Sequence, residues 1–98
     1  MMEPKTLDAK EMDQVTGILR EYFVSRGFRV VEADHLVPAE NTICITAEST
    51  GKGERIISEI DLDDYLQLHH HKLHKIVLLR LCIKNGKTLV DLWITVRR

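Results

Sequence analysis

An apolar stripe at helical spacing opens the chain. Met12, Val15, Leu19, Tyr22 and Phe23 recur three and four residues apart, joined by Ile18, while the positions between them are polar. Thr6 stands where an N-cap belongs, and Asp8, Glu11 and Asp13 fall early, where the helix dipole favours negative charge. Arg26-Gly27 supplies a left-handed stop, with Phe28 beyond it to close the hydrophobic contact. Gly17 interrupts the helix interior, where glycine costs up to about 1 kcal/mol against alanine. Close approach of the helix to a sheet is the expected reason for it.

Beyond Gly27 the period changes from about 3.6 to two. Residues 28–33 read as a strand, followed by a loop to Asn41. Residues 42–48 alternate cleanly, with Ile43, Ile45 and Ala47 on one face. A turn at residues 49–53 leads to a third, weaker strand over 54–60. Helical spacing returns over 62–74, where Leu62, Tyr65, Leu66, His69 and Leu73 share a face and Asp61 or Asp63 can cap. Two further strands, 75–83 and 88–96, complete the pattern.

Asn85-Gly86 between those last strands fixes their pairing. Both positions of a two-residue type I′ turn need positive φ, which this dipeptide accepts. Setting Lys84 opposite Lys87 pairs Ile83 with Thr88, Leu81 with Val90, Leu79 with Leu92 and Val77 with Ile94 on one face. The other face pairs Cys82 with Leu89, Arg80 with Asp91, Leu78 with Trp93 and Ile76 with Thr95. The opposite charges of Arg80 and Asp91 meet in this register, which supports it. The first face is almost wholly apolar and is expected to meet the helix.

The order α-β-β-β-α-β-β predicts an α+β domain. An N-terminal helix packs on one face of a mainly antiparallel sheet of about five strands, with a short second helix before the C-terminal β-hairpin. Ninety-eight residues suit a single domain, 1–98. No low-complexity tract appears, and no apolar run approaches the roughly 18–20 residues of a membrane span. With no signal-peptide core at the N-terminus, a cytoplasmic protein is expected. Cys44 and Cys82 sit inside apolar strand patterns, where a free cysteine behaves as a small hydrophobe.

Charge is unevenly placed although the net value is only −1. Residues 1–68 hold seven Lys/Arg against fourteen Asp/Glu, whereas residues 69–98 hold seven against a single Asp. A nucleic-acid binder is normally basic overall, so the two halves are expected to complement each other within the fold.

Candidate chemistry is sparse. Four of five histidines fall in "HHHKLH", residues 69–74. On a helix, His70 and His74 stand one turn apart beside Asp63, the geometry by which two histidines chelate zinc or a similar divalent metal. The set is incomplete: HExxH is absent, Lys72 and Lys75 repel a cation, and His35 is the only distant histidine. A solvated polar face is the expected reading, with no cofactor. "STGKG" lacks the full phosphate-loop spacing and leads into a strand pattern, so a plain turn is expected. Glu32, Asp34, Glu48 and Lys52 lack the Glu-x-Lys spacing of nuclease sites, and no Ser/His/Asp or Cys/His arrangement can be assembled.

The far face of the last hairpin is the more informative feature. Ile76, Leu78, Leu89 and Trp93 are too apolar there for open solvent, and tryptophan is enriched at binding hot spots. These residues suggest a small protein-interaction module of regulatory, chaperone-like or immunity type, not an enzyme. Its partner is another protein or a second copy in a homodimer, with no membrane role. A metal-dependent hydrolase or nuclease using His70, His74 and Asp63 is the first alternative. A nucleic-acid binder presenting Lys84, Lys87, Arg97 and Arg98 around Trp93 is the second.

Overall fold

Helix α1 spans Ala9–Ser25 in the computed structural model, which describes residues 7–35, 42–50 and 57–97. Asp8 caps it, its carboxylate accepting from the Glu11 N–H at 2.8 Å; the expected cap, Thr6, lies outside the described residues. The predicted stripe is the buried one: Met12, Val15, Leu19, Tyr22 and Phe23 are all fully covered. Thr16 joins them because its hydroxyl is satisfied within the helix, donating to the Met12 carbonyl at 2.7 Å. Gly27 has φ +85°, the left-handed stop expected of it. Gly17 is not explained by a close approach, since a Cβ there would meet nothing within 4 Å.

Among the described residues four strands, not five, form the sheet: β1 Phe28–His35, β2 Thr42–Ser49, β3 Lys72–Lys84 and β4 Lys87–Arg97. Every pairing is antiparallel, in the order β1-β2-β4-β3. The expected strand over 54–60 is absent where it is described. Glu59 and Ile60 open helix α2, Glu59–Leu68, and Ser58 caps it by accepting from the Asp61 N–H at 3.1 Å. Ser-Glu-Ile-Asp is a capping signature that outweighs a weak strand pattern.

Helix α2 also ends earlier than residue 74. The His71 N–H donates to the Leu66 carbonyl and the His70 N–H to that of Gln67, with His70 at φ +67°. These two bonds and one left-handed residue make a Schellman stop. His70 occupies the position where glycine is usual, so neither composition nor periodicity marks the end.

The hairpin register is as expected from Lys84–Lys87 through Leu78–Trp93, with Asn85 and Gly86 both at positive φ. A bulge at Val77 then shifts the pairing, so Ile76 lies opposite Ile94 rather than Thr95. "IVLL" offers four apolar residues in a row, and the bulge turns Ile76 inward, where it packs against the core. The β3–β4 register shifts again at His74, and a bulge at Val31 in β1 resets that strand so that Glu32 and Asp34 face away from the helices.

The core lies between the sheet and both helices. Ile43, Ile45 and Ala47 of β2 and Val90, Leu92, Ile94 and Val96 of β4 meet α1 together with Leu62 and Leu66 of α2. Burying a side chain of this size contributes about 1.5–3 kcal/mol. Because α2 spends its apolar side on this same layer, it does not cover the far face. The apolar hairpin face predicted to meet the helix is covered only along β4; Leu79, Leu81 and Ile83 of β3 remain exposed.

Candidate functional site

With neither described helix on it, the far face of the sheet is a shallow groove of about 300 Å³. Each strand contributes by its period-two alternation. β1 places Glu32 and Asp34, β2 Cys44 and Thr46, β4 Asp91 and Trp93, and β3 Leu78 and Arg80. The registers run straight across it: Asp34 opposite Cys44, Cys44 opposite Trp93, and Trp93 opposite Leu78. One row beyond, Glu32, Thr46, Asp91 and Arg80 line up the same way.

Trp93 stays 39% exposed in this groove, whereas Leu78 opposite it is half-buried, as is Leu89 two rows along the same face. Three of the four proposed contact residues therefore share the far face, and Ile76 does not. Three carboxylates, Glu32, Asp34 and Asp91, border the groove against the single cation Arg80. Asp91 is positioned by Thr46, whose hydroxyl donates to its Oδ1 at 2.9 Å. Asp34 accepts from the His35 N–H at 2.8 Å. Burial pushes the Cys44 thiol pKa up, and the carboxylates of Asp34 and Glu32 push it the same way. A raised thiol pKa leaves less of the nucleophilic thiolate form at Cys44.

The histidine cluster is taken apart by the chain path. His69 caps α2 and tilts against the Tyr65 ring at 5.2 Å, His70 makes the left-handed stop, and His74 lies exposed on β3. Asp63 is occupied: one oxygen accepts from the Leu73 N–H at 3.0 Å, the other from the Gln67 amide at 2.9 Å. It ties the start of β3 to α2. His35 sits beside Asp13 of α1, with Nε2 3.2 Å from its carboxylate. Among the described residues no three His, Cys, Asp or Glu side chains group so as to hold a metal ion.

The basic residues do not gather around Trp93 either. Lys84 and Lys87 face each other beside the turn, and Arg97 pairs with Lys72 at the other end of the hairpin. Glu48 holds Arg29 by hydrogen bonds and approaches Lys87 at 3.9 Å; its pKa is lowered chiefly by the Arg29 bonds. Arg98, and Lys52 of the "STGKG" turn, lie outside the described residues. No described helix is long and apolar enough to cross a membrane.

Sequence reasoning missed the acidic border of the groove. Arg80 and Asp91 were readable as a cross-strand pair, but Glu32 and Asp34 reach this face only because of the Val31 bulge. Comparison with protein-family models, curated proteins and solved structures finds no match.

Proposed function

We propose that this chain is a small protein-interaction module whose far-face groove receives a basic side chain, lysine or arginine, from a protein partner. The observation that supports this reading is an exposed indole in an acid-bordered groove: Trp93 shares a row with Asp34, Cys44 lying between them, and Asp91 and Glu32 stand in the next row. A guanidinium or ammonium over an indole face gains about 0.5–2 kcal/mol. Carboxylates around it add charge-assisted hydrogen bonds and repel an acidic ligand. The same charges disfavour nucleic acid, whose phosphates would face this border.

Trp93 is the protein's sole tryptophan, so its fluorescence reports occupancy directly. Titration with lysine- and arginine-containing peptides is expected to give a saturable change that weakens with salt. Asp91→Asn, read by the same fluorescence, and Trp93→Ala, read by titration calorimetry because it lacks the reporter, are each expected to remove the binding, with the fold intact by circular dichroism. Acidic peptides and oligonucleotides are expected to leave the signal unchanged. Equal binding of acidic and basic peptides would sink the proposal.

A further inference from the structure

The described sheet has two edges, and β3 lacks protection over residues 78–83. β1 carries the Val31 bulge and the charges of Arg29, Glu32 and Asp34, devices that discourage strand pairing. From Ile76 to Ile83, β3 carries one charge, Arg80. Leu79, Leu81 and Ile83 are 40%, 62% and 80% exposed on the face that holds the helices. Helix α2 cannot reach them: 10 residues span about 15 Å, while the 13 of β3 extend for roughly 43 Å.

The backbone of this edge is defined by the hairpin turn. In a two-residue turn the closing pair, Lys84–Lys87, exchanges hydrogen bonds, and so does every second pair: Cys82–Leu89, Arg80–Asp91 and Leu78–Trp93. The N–H and C=O groups of Leu79, Leu81 and Ile83 therefore point to the open side. The residues with free edge groups are the ones with uncovered apolar side chains.

We infer that two copies of this chain join their β3 strands antiparallel about a two-fold axis at Leu81, forming one continuous eight-stranded sheet. Charge selects this register. An axis at Arg80 sets that residue against itself, and an axis at Cys82 sets Arg80 against Lys84; like charges directly opposite are destabilising. An axis at Leu79 drives the pairing into the Val77 bulge. The axis at Leu81 places Leu81 opposite Leu81, Leu79 opposite Ile83, and Arg80 opposite Cys82. The apolar side chains then form one ladder on the helix side, and the open backbone groups are satisfied by their counterparts. Overlap is confined to residues 78–84, so each α2, beside the start of β3, stays clear of the other copy. This surface is separate from the Trp93 groove, and neither reading requires the other.

Light scattering at micromolar concentration is expected to give twice the 11.3 kDa of one chain. Leu81→Lys, which sets two ammonium groups face to face on the axis, is expected to return the monomer mass with an unchanged circular dichroism spectrum. Trp93→Ala is expected to remain dimeric, which separates this assembly from the groove. Register is read by cross-linking: with Cys44→Ser and Cys82→Ser in place, Leu81→Cys is expected to form an intermolecular disulfide, because hydrogen-bonded partners lie about 5.5 Å apart at Cα. A monomeric wild type overturns the inference. So does a dimer that survives Leu81→Lys, or one that cross-links through native Cys82 and not through Leu81→Cys.

Discussion

Arg26 clasps Asp61 with two parallel hydrogen bonds, Nε to Oδ2 at 2.5 Å and Nη2 to Oδ1 at 2.8 Å. The guanidinium lies over the Tyr22 ring at 3.9 Å, and the Tyr22 hydroxyl donates to Asp61 Oδ2 at 2.9 Å. This cluster locks the end of α1 to the first turn of α2, whose N-terminal dipole favours the carboxylate. The hydrogen bonds to Asp61 hold the Arg26 pKa up, and burial followed by the Asp61 bond holds the Tyr22 phenol up.

A double-mutant cycle on Arg26→Gln and Asp61→Asn should return a coupling energy of roughly 1–2 kcal/mol, the range for charged hydrogen-bonded partners that are partly shielded from water. Denaturant unfolding measures it. Additive single effects would mean that the clasp contributes nothing to docking α2. A raised Tyr22 pKa stabilises the fold fully below the unfolded-state tyrosine value of about 10 and loses that contribution as pH climbs above it. Stability should therefore fall on the alkaline side of pH 10, and Tyr22→Phe should flatten that fall.

Gly17→Ala should stabilise the domain by about 0.5–1 kcal/mol, because the site is helical and open around the missing Cβ. A rise in melting temperature checks this. A fall would place an unseen neighbour against that face of α1.

His70→Gly should also stabilise, by about 1 kcal/mol, since glycine relieves the left-handed strain that a side chain bears at φ +67°. If His70 served a ligand, the same change would abolish that function while improving the fold. Stability and metal content measured together on the variant distinguish the outcomes.

Cys82 is exposed on β3, whereas Cys44 is partly buried in the groove with its pKa raised. A raised pKa means less thiolate at neutral pH, so a thiol reagent should modify Cys82 first and Cys44 slowly. The Cys44 rate should climb as pH rises toward its thiol pKa. An occupied groove should slow it further, giving a second reading of ligand binding. Equal rates at neutral pH would contradict this account of the groove.

Long periodic segments were legible because each pattern had one solution. The α1 stripe has an apolar face wide enough only for burial, and Asn85-Gly86 admits essentially one turn. Both are local in origin, and the structure agrees with them up to Leu78–Trp93. The short segments were not so constrained. Residues 54–60 carry a weak strand pattern and a helix cap at once, and the part that is described follows the cap. His69 to His74 fit a helical face on paper, but a left-handed residue other than glycine ended the helix first.

What the sequence determined by itself was the class: a long helix, an antiparallel sheet with its apolar side turned to that helix, and a hairpin in a fixed register from the turn to Trp93. Those features follow from side-chain periodicity and from turn residues, which act over a few positions. Tertiary structure alone decided which residues share the far face. An extra residue at Val31 reverses the alternation of β1 and carries Glu32 and Asp34 to the face that bears Trp93, and another at Val77 turns Ile76 toward the core. A bulge is chosen by how two strands and the layer above them pack together, and no residue type in either strand requires it. The placement of α2 was decided in the same way: Leu62 and Leu66 gain more from the core already built beneath α1 than from the polar far face. That choice leaves Trp93 and the edge of β3 open.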